Sequence, residues 1–392
     1  MFDLINKNLI KNCYPVLENL WKNQKNLYIE LFFHEKDVEL KKMEVKPLLK
    51  TKIIKKVKDK FRANVFVFPL AGKFIVSDFL ISLHKVKDGR YLRGRDDVWA
   101  ILAYESPYIA KKAIVKKGDY VLDLACGSGI IALFCADKAT KVIATDINPK
   151  AINYARFNAI LNGLENKIDF RVGDMFEPVK GTCPELVEGT CPEPVEGEKF
   201  DLIVWNGPTL AIPDVPEKYP IYCFGGPDGL DFTKRFIEEA PQYLKSEGRM
   251  QWLDPSLGNE KNPRSLEVIK EGWKNRGFRV IYEQRVKPSL LSKLYEYVEK
   301  RLIFNPTKGL ARPLWLKPLT KKEYSEWLEF LKKNKFTHIH AGMYKIYSSK
   351  KFKIIRQRVK KILFPRMNYL PQEWHFLSIT RIKQLLKICE GY

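Results

Sequence analysis

Val121-Leu122-Asp123-Leu124-Ala125-Cys126-Gly127-Ser128-Gly129-Ile130-Ile131-Ala132-Leu133 is the stretch on which the fold turns. A short apolar run ends in an acid, a loop of small residues follows, and a second apolar run opens at Ile130. This order reads as strand, tight loop and helix, with the helix predicted over 130–138. Gly127 and Gly129 allow the backbone to approach a ligand closely. The helix start presents N–H groups without intrahelical partners at the positive end of the dipole. Two ligand classes fit such a loop. Gly127, Gly129 and Ala132 satisfy the G-x-G-x-x-G/A fingerprint, which seats a dinucleotide pyrophosphate on the helix end. Asp123 opposes that reading, because it would repel a pyrophosphate. It suits S-adenosylmethionine, which has no phosphate and carries ammonium and sulfonium charges.

Downstream, strand and helix patterns alternate. Strands are predicted at 120–124, 141–145, 167–172, 200–205, 249–253 and 278–282, and helices at 149–162, 231–244 and 265–276. Repeated βα units imply a doubly wound, mostly parallel sheet with helices on both faces. The second strand ends in Asp146, 17 residues past Gly129, where an acid can accept both ribose hydroxyls. Asp146 or Asn148 can instead cap the helix that Pro149 opens. The third strand leads into Gly173-Asp174-Met175-Phe176. Asp174 there can accept from an adenine amino group beside an apolar neighbour, or be an ordinary turn residue.

The rest of the chain differs in character. Residues 1–50 show helical spacing. Val65–Phe68 and Phe74–Val76 are strand-like runs split by Pro69 and Gly72. A small N-terminal α+β domain over 1–95 follows from this, with turns at Asp88-Gly89 and Gly94. Residues 182–197 repeat an eight-residue unit, TCPELVEG then TCPEPVEG. This segment has no apolar periodicity and is expected as a disordered insertion without a catalytic role. Amphipathic helices are expected at 290–302 and 321–335, a sheet-completing strand at 336–347, and a basic amphipathic helix at 350–364. The net charge of +23 in 392 residues is uneven: +11 over 1–95, −6 over 96–284 and +18 over 285–392. Basic flanks attract phosphates of nucleic acid or of an anionic membrane, or are plain solubilising surface. Seven cysteines without a C-x₂-C pair, and an N-terminus without signal-peptide order, lead to a cytoplasmic expectation. No apolar run is long enough for a transmembrane helix. His338 and His340 share a strand face without a third ligand, so no metal is expected.

The middle of the chain resembles the class I S-adenosylmethionine-dependent methyltransferases. It is most similar to the small-domain group that holds the release-factor glutamine N5-methyltransferases and the ribosomal RNA guanine N2-methyltransferases. The stretches that carry the resemblance are VLDLACGSGIIAL (121–133), VIATDINPKAINYARFNAILNGL (142–164), FRVGDMFEPV (170–179), FDLIVWNGPT (200–209) and FGGPDGLDFTKRFIEEAPQYLKSEG (224–248). FIVSD (74–78) also looks like members with an extra N-terminal domain. The resemblance implies that Asp123, Ala125, Cys126, Gly127, Ser128 and Gly129 hold the methionine end of the cofactor. Asp146 and Ile147 would hold ribose and adenine, and Asp174 and Met175 would frame the adenine. Ala125 stands where the family has its first loop glycine. Amino-methylating relatives end the fourth strand in Asn-Pro-Pro followed by Tyr or Phe: the asparagine and a following carbonyl orient the target NH₂, and the ring stacks on a planar target. Here the stretch is Asn206-Gly207-Pro208-Thr209. By the resemblance, Asn206 and Pro208 keep the catalytic positions, and Asn206 would also lie against the cofactor. A glycine replaces the first proline, and the ring is lost unless Trp205, Tyr219 or Tyr222 supplies one.

The expected architecture is therefore an α/β fold. A seven-stranded Rossmann-like methyltransferase domain spans 96–348, with the N-terminal α+β domain as a substrate-recognition candidate and a basic helical tail over 349–392. The expected reaction is methyl transfer from S-adenosylmethionine, leaving S-adenosylhomocysteine, to a nitrogen of a nucleic acid base or a ribosome-associated protein. The basic flanks would meet a nucleic acid or ribosomal component. Three readings remain beside it: a small-molecule methyltransferase, an inactive binding protein of the same fold, and a nicotinamide-dependent oxidoreductase.

Overall fold

The acid-terminated run at 120–124 lies near the centre of a nine-stranded sheet in the computed structural model. The structure describes every residue except 1, 3, 80–85, 88–89, 92–93, 100–104, 181–196, 286, 292–318, 360–377 and 391–392. The chain begins with helices α1 (Lys7–Lys11), α2 (Cys13–Asn23), α3 (Lys25–Phe32) and α4 (Lys46–Lys50). Short antiparallel strands follow: β1 (Ile54–Val57) with β2 (Lys60–Ala63), β3 (Phe66–Leu70) with β4 (Lys73–Ser77), and β5 (Val86–Lys87) with β6 (Arg90–Tyr91). The small N-terminal α+β region is thus present. The turn at 88–89 and almost all of the 182–197 repeat lie outside the described residues.

After α5 (Ser106–Lys112) come β7 (Tyr120–Leu124), α6 (Ile130–Cys135), β8 (Lys141–Asp146), α7 (Pro149–Leu161), β9 (Ile168–Val172) and β10 (Phe200–Trp205). Then follow α8 (Asp231–Glu239), β11 (Leu244–Gly258), α9 (Arg264–Trp273), β12 (Phe278–Gln284) and β13 (Ser289–Leu290). The chain continues with α10 (Lys321–Lys333), β14 (His338–Ser348), β15 (Lys353–Arg358) and α11 (Ile379–Glu390). The strand order is β15-β12-β14-β11-β10-β7-β8-β9, with β13 beside β14. All seven expected strands are there, and β13 and β15 add two. β7 through β11 pair in parallel, and β14 runs antiparallel between β11 and β12. The central strands are buried on both faces and so read as continuous apolar runs. Strand order reverses between β7 and β10. In open α/β sheets ligands sit at such a switch point, beyond the carboxyl ends of the strands.

Two expectations on element boundaries need correction. The basic segment 350–364 is not a helix where it is described: residues 353–358 form β15, parallel to β12 from Arg279↔Lys353 to Gln284↔Arg358. Phe352, Ile355 and Val359 fit helical spacing, but the open edge of β12 supplies a full ladder of backbone partners, and Ile354 and Ile355 suit a strand. The tail's described helix is α11 instead. The helix expected to reach Leu244 stops at Glu239, where Pro241 leads into a 3₁₀ turn over Ala240–Tyr243. Most of the 290–302 segment lies outside the described residues, and Leu290 itself is in β13.

The two faces of the sheet are packed differently. Under α8 and α9 lies an aromatic row: Trp205 stacks on Phe236, Phe236 meets Trp252, and Trp252 stacks on Tyr344, which touches Tyr282, with centroids 5.0, 5.1, 4.7 and 4.9 Å apart. Such pairs contribute about 0.5–1.5 kcal/mol each beyond their burial. On the other face α6, α7, α11 and the N-terminal segment share one apolar cluster. Helix α7 joins the N-terminal segment by three asparagines. The side chain of Asn153 meets both backbone polar groups of Phe2, Asn158 both of Val76, and Asn162 both of Phe74, at 2.8–3.2 Å. Each amide accepts from the N–H and donates to the carbonyl of one residue, as a neighbouring strand would.

Candidate active site at the strand switch point

Asp123, the penultimate residue of β7, is fully buried. Its Oδ2 accepts the Ala132 N–H at 2.8 Å, which ties the strand end to the first turn of α6, while its Oδ1 has no hydrogen-bond partner. Burial pushes its carboxyl up to about 8, and the nearby Asp146 adds to the rise. The loop turns sharply, with Ala125, Gly127 and Gly129 at φ 56°, 55° and 80°. At Gly129 a Cβ would come within 2.9 Å of the Ala155 Cβ in α7, so glycine is needed there for close packing. At Gly127 a Cβ would meet nothing within 4 Å, so this residue borders open space. Cys126 donates its N–H to Thr145 at 2.9 Å, and burial raises its thiol, which stays protonated. The Ser128 carbonyl accepts from Asn158 at 2.9 Å.

Asp146 ends β8 beside this loop. Its Oδ2 accepts the Gly127 N–H at 2.8 Å and its Oδ1 the Asn148 N–H at 2.9 Å. Burial raises its carboxyl and these two bonds lower it. The capping role belongs to Asn148, whose side chain accepts from Lys150. Ile147 is 52% exposed, and Val172 at the end of β9 is 50% exposed. These two apolar side chains flank the acid with ordinary water-facing area, which suits the face of a flat ring. The sequence pointed to Ile147 and gave no signal for Val172. Met175 is buried, at φ 47°. Asp174 is held by an ion pair with Arg235 of α8 at 2.9 Å, a partner that sequence reading missed.

Asn206 follows β10, the strand next to β7. Its Nδ2 donates to the Ser106 Oγ of α5 at 3.4 Å. Pro208 is half-buried. Thr209 is buried against two glycines: a Cβ at Gly225 or Gly229 would strike the Thr209 backbone. The rings that sequence reading offered are placed apart. Trp205 is fully buried in the aromatic row and Tyr219 is buried in a separate cluster. Tyr222 packs edge-on against Trp99 at 4.7 Å, both rings half-buried. Trp99 ends a segment, Gly94–Trp99, that crosses this edge of the sheet. Its Asp96 carbonyl accepts from Asn148 at 2.8 Å, and its Arg95 carbonyl accepts from the Ile221 N–H at 3.0 Å. No pattern in the sequence marked that strap.

These residues fit S-adenosylmethionine. A buried carboxyl oxygen without a donor, Asp123 Oδ1, suits a cation and not a pyrophosphate, and Gly127 leaves open space in the loop that follows. A second acid, both of whose oxygens already take backbone N–H groups, keeps lone pairs for hydroxyl donors. Among the described residues no group of three His, Cys, Asp or Glu is arranged to hold a metal, and no helix is long and apolar enough to cross a membrane.

The model of the methyltransferase domain family matches residues 115–330. The "Putative protein N5-glutamine methyltransferase" of Methanocaldococcus jannaschii is 35% identical over 189 residues, covering 47% of this chain and 83% of that one. The release factor glutamine methyltransferase of Thermodesulfovibrio yellowstonii is 32% identical over 182 residues, 44% of this chain and 56% of its own. The chain therefore spans only about half the length of that second relative. The crystal structure of Trm5b from Pyrococcus abyssi aligns at 18% identity with a TM-score of 0.37, over 75% of this chain and 62% of that one. The dinucleotide reading of the glycine loop falls with the family match, and the chain belongs to the methyltransferase domain family as an S-adenosylmethionine-dependent methyltransferase.

Proposed function

We propose that the chain methylates a nitrogen of a planar amide in a protein of the translation apparatus, with a glutamine side chain as the leading acceptor. The observation that carries this reading is Asn206: it follows β10, the strand paired with β7 that leads into the glycine loop, and its Nδ2 is bonded to the Ser106 Oγ. Asn206 Oδ1 accepts one N–H of the acceptor amide, and the carbonyl after it accepts the other. The nitrogen lone pair is thereby aimed across the switch point, and the residues act by positioning. Asp123, Ala125, Cys126, Gly127, Ser128 and Gly129 hold the methionine end of the cofactor, Asp146 and Ile147 the ribose and adenine, and Asp174 and Met175 the adenine edge. The bound cofactor supplies the methyl group. The names of the two relatives above support an amide acceptor.

The division at 95 is proposed as one of role. The N-terminal segment and the Gly94–Trp99 strap face the acceptor, and the half-buried Trp99–Tyr222 pair stands in for the ring that Thr209 lacks. Pro208 limits the freedom of the acceptor loop. The test is transfer of tritium-labelled methyl to a ribosome-free extract, to purified release factors and to total RNA, followed by mass spectrometry. Label on a protein glutamine, lost in Asn206→Ala, supports the reading. Label on an RNA base with none on protein overturns it.

A further inference from the structure

The sequence holds a run without acids that the methyl-transfer site does not use. Residues 330–372 contain no Asp or Glu and 12 Lys or Arg. Within it β15 forms the outer edge of the sheet, and among the described residues no strand pairs with its far side. Lys353, Arg356 and Arg358 are exposed, as are Lys350 and Lys351 just before them. The neighbouring strand and the turn before it add exposed Lys274, Arg276 and Arg279. Backbone bonding locks the two segments together: Ser349 donates to the Gly277 carbonyl at 2.7 Å, and Arg279 is the register partner of both Tyr347 and Lys353. The Arg279 guanidinium lies over the Tyr347 ring at 5.0 Å. Arg356 reaches across to the Lys261 carbonyl at 3.2 Å, which places a further exposed lysine at the carboxyl edge of the sheet.

We propose that this edge, from Lys350 along β15 to Arg358 with Lys274, Arg276 and Arg279, is a docking surface for RNA. Side chains alternate along the strand, so Arg356 and Arg358 flank the open edge on one face and Lys353, with its neighbour Arg279, on the other, and a phosphate backbone lying along the edge meets cations from both sides. The guanidinium–tyrosine pair adds a flat face for an unpaired base. An anionic membrane is a poorer match, because no large apolar side chain of β15 is exposed. Four strand spacings separate β15 from β10, so RNA held here runs about 19 Å from the acceptor site. It anchors a ribonucleoprotein partner and does not enter the site. The choice of RNA rests on the proposed translation-linked function, but the surface is assayed without methyl transfer.

The experiment is fluorescence anisotropy of the full chain with a fluorescein-labelled single-stranded RNA of mixed sequence, titrated at several salt concentrations. Wild type should bind with steep salt dependence. Lys353→Ala/Arg356→Ala/Arg358→Ala should weaken binding at least about tenfold and lower the salt slope by about 2, at roughly 0.7 per phosphate contact. Arg356→Lys/Arg358→Lys should retain most binding. S-adenosylmethionine affinity, read by calorimetry, should be the same in all three proteins, which separates this result from a failed fold. Equal RNA affinity in the triple variant overturns the proposal. So does binding to polyglutamate or to phosphatidylserine vesicles as tight as to RNA.

Discussion

Gly207 lies directly against the indole of Trp205: a Cβ at this position would overlap Nε1. The change from the family's first proline to glycine is thus tied to the residue before the asparagine. Trp205 is fully buried and stacked on Phe236, so it has no room to withdraw. Gly207→Ala should cost about 1–3 kcal/mol of stability, the usual range for overpacking, and should slow methyl transfer by displacing Asn206. In a Trp205→Leu background the same substitution should be far milder. Urea denaturation of the two singles and the double gives the coupling; strictly additive effects would show that the two residues do not constrain each other.

Much of this site was legible in the sequence because its geometry is local. Asp123, the glycine loop and Asp146 lie on strand-loop-helix units whose patterns are read within about ten residues, and the structure brings them together through the Gly127–Asp146 hydrogen bond. What escaped is non-local. Arg235 reaches Asp174 from another helix, and Trp99 meets Tyr222 across a gap in the chain that no periodicity spans. β15 escaped for a related reason. Phe352, Ile355 and Val359 satisfy a helical period by themselves, and only the vacant edge of β12 decides for a strand.

If Asp123 holds the cationic end of the cofactor as proposed, cofactor binding is sensitive to pH. Its carboxyl sits near 8 in the free protein, so at pH 6 it is neutral. A cationic ligand binds the ionised form better. Affinity for S-adenosylmethionine should therefore rise as pH goes from 6 to 8 and level off above, with close to one proton released on binding at pH 7. Calorimetry in buffers of different ionisation enthalpy reads that proton directly. Asp123→Asn should weaken binding and flatten the profile; a variant that stays pH-dependent would move the effect to another group.

A second buried acid acts on stability. Asp254 in β11 accepts from the Ser265 hydroxyl at the start of α9, which in turn meets the Tyr344 hydroxyl at 2.8 Å, while Asp254 Oδ1 has no partner. Burial raises its carboxyl to about 7. A folded-state value above the unfolded one means stability that is complete at low pH and is lost as pH rises through 7. Wild type should melt at a lower temperature at pH 8 than at pH 6. Asp254→Asn keeps the Ser265 contact without a charge and should recover several degrees at pH 8, at about 2–4 °C per kcal/mol. Scanning calorimetry at both pH values checks this, and an equal drop in the variant would exclude Asp254 as the source.

Asn158 joins the N-terminal segment to the glycine loop. Its amide accepts from the Val76 N–H at 2.8 Å and donates to the Val76 carbonyl at 2.8 Å and to the Ser128 carbonyl at 2.9 Å, and it is fully buried. Asn158→Ala leaves three backbone groups without partners away from water, at about 1–3 kcal/mol each before relaxation. It should lower the melting temperature markedly and weaken S-adenosylmethionine binding, because the Ser128 carbonyl loses the contact that fixes the loop. Asn158→Asp is nearly the same shape and still accepts from Val76, but its carboxylate faces two carbonyls in a buried site. It should be the worse of the two. If the polar contacts are incidental and only volume matters, the order reverses, since aspartate fills the space and alanine does not. The ranking of the two variants by thermal melting, with cofactor affinity measured on each, therefore separates a polar clamp from simple packing at this helix.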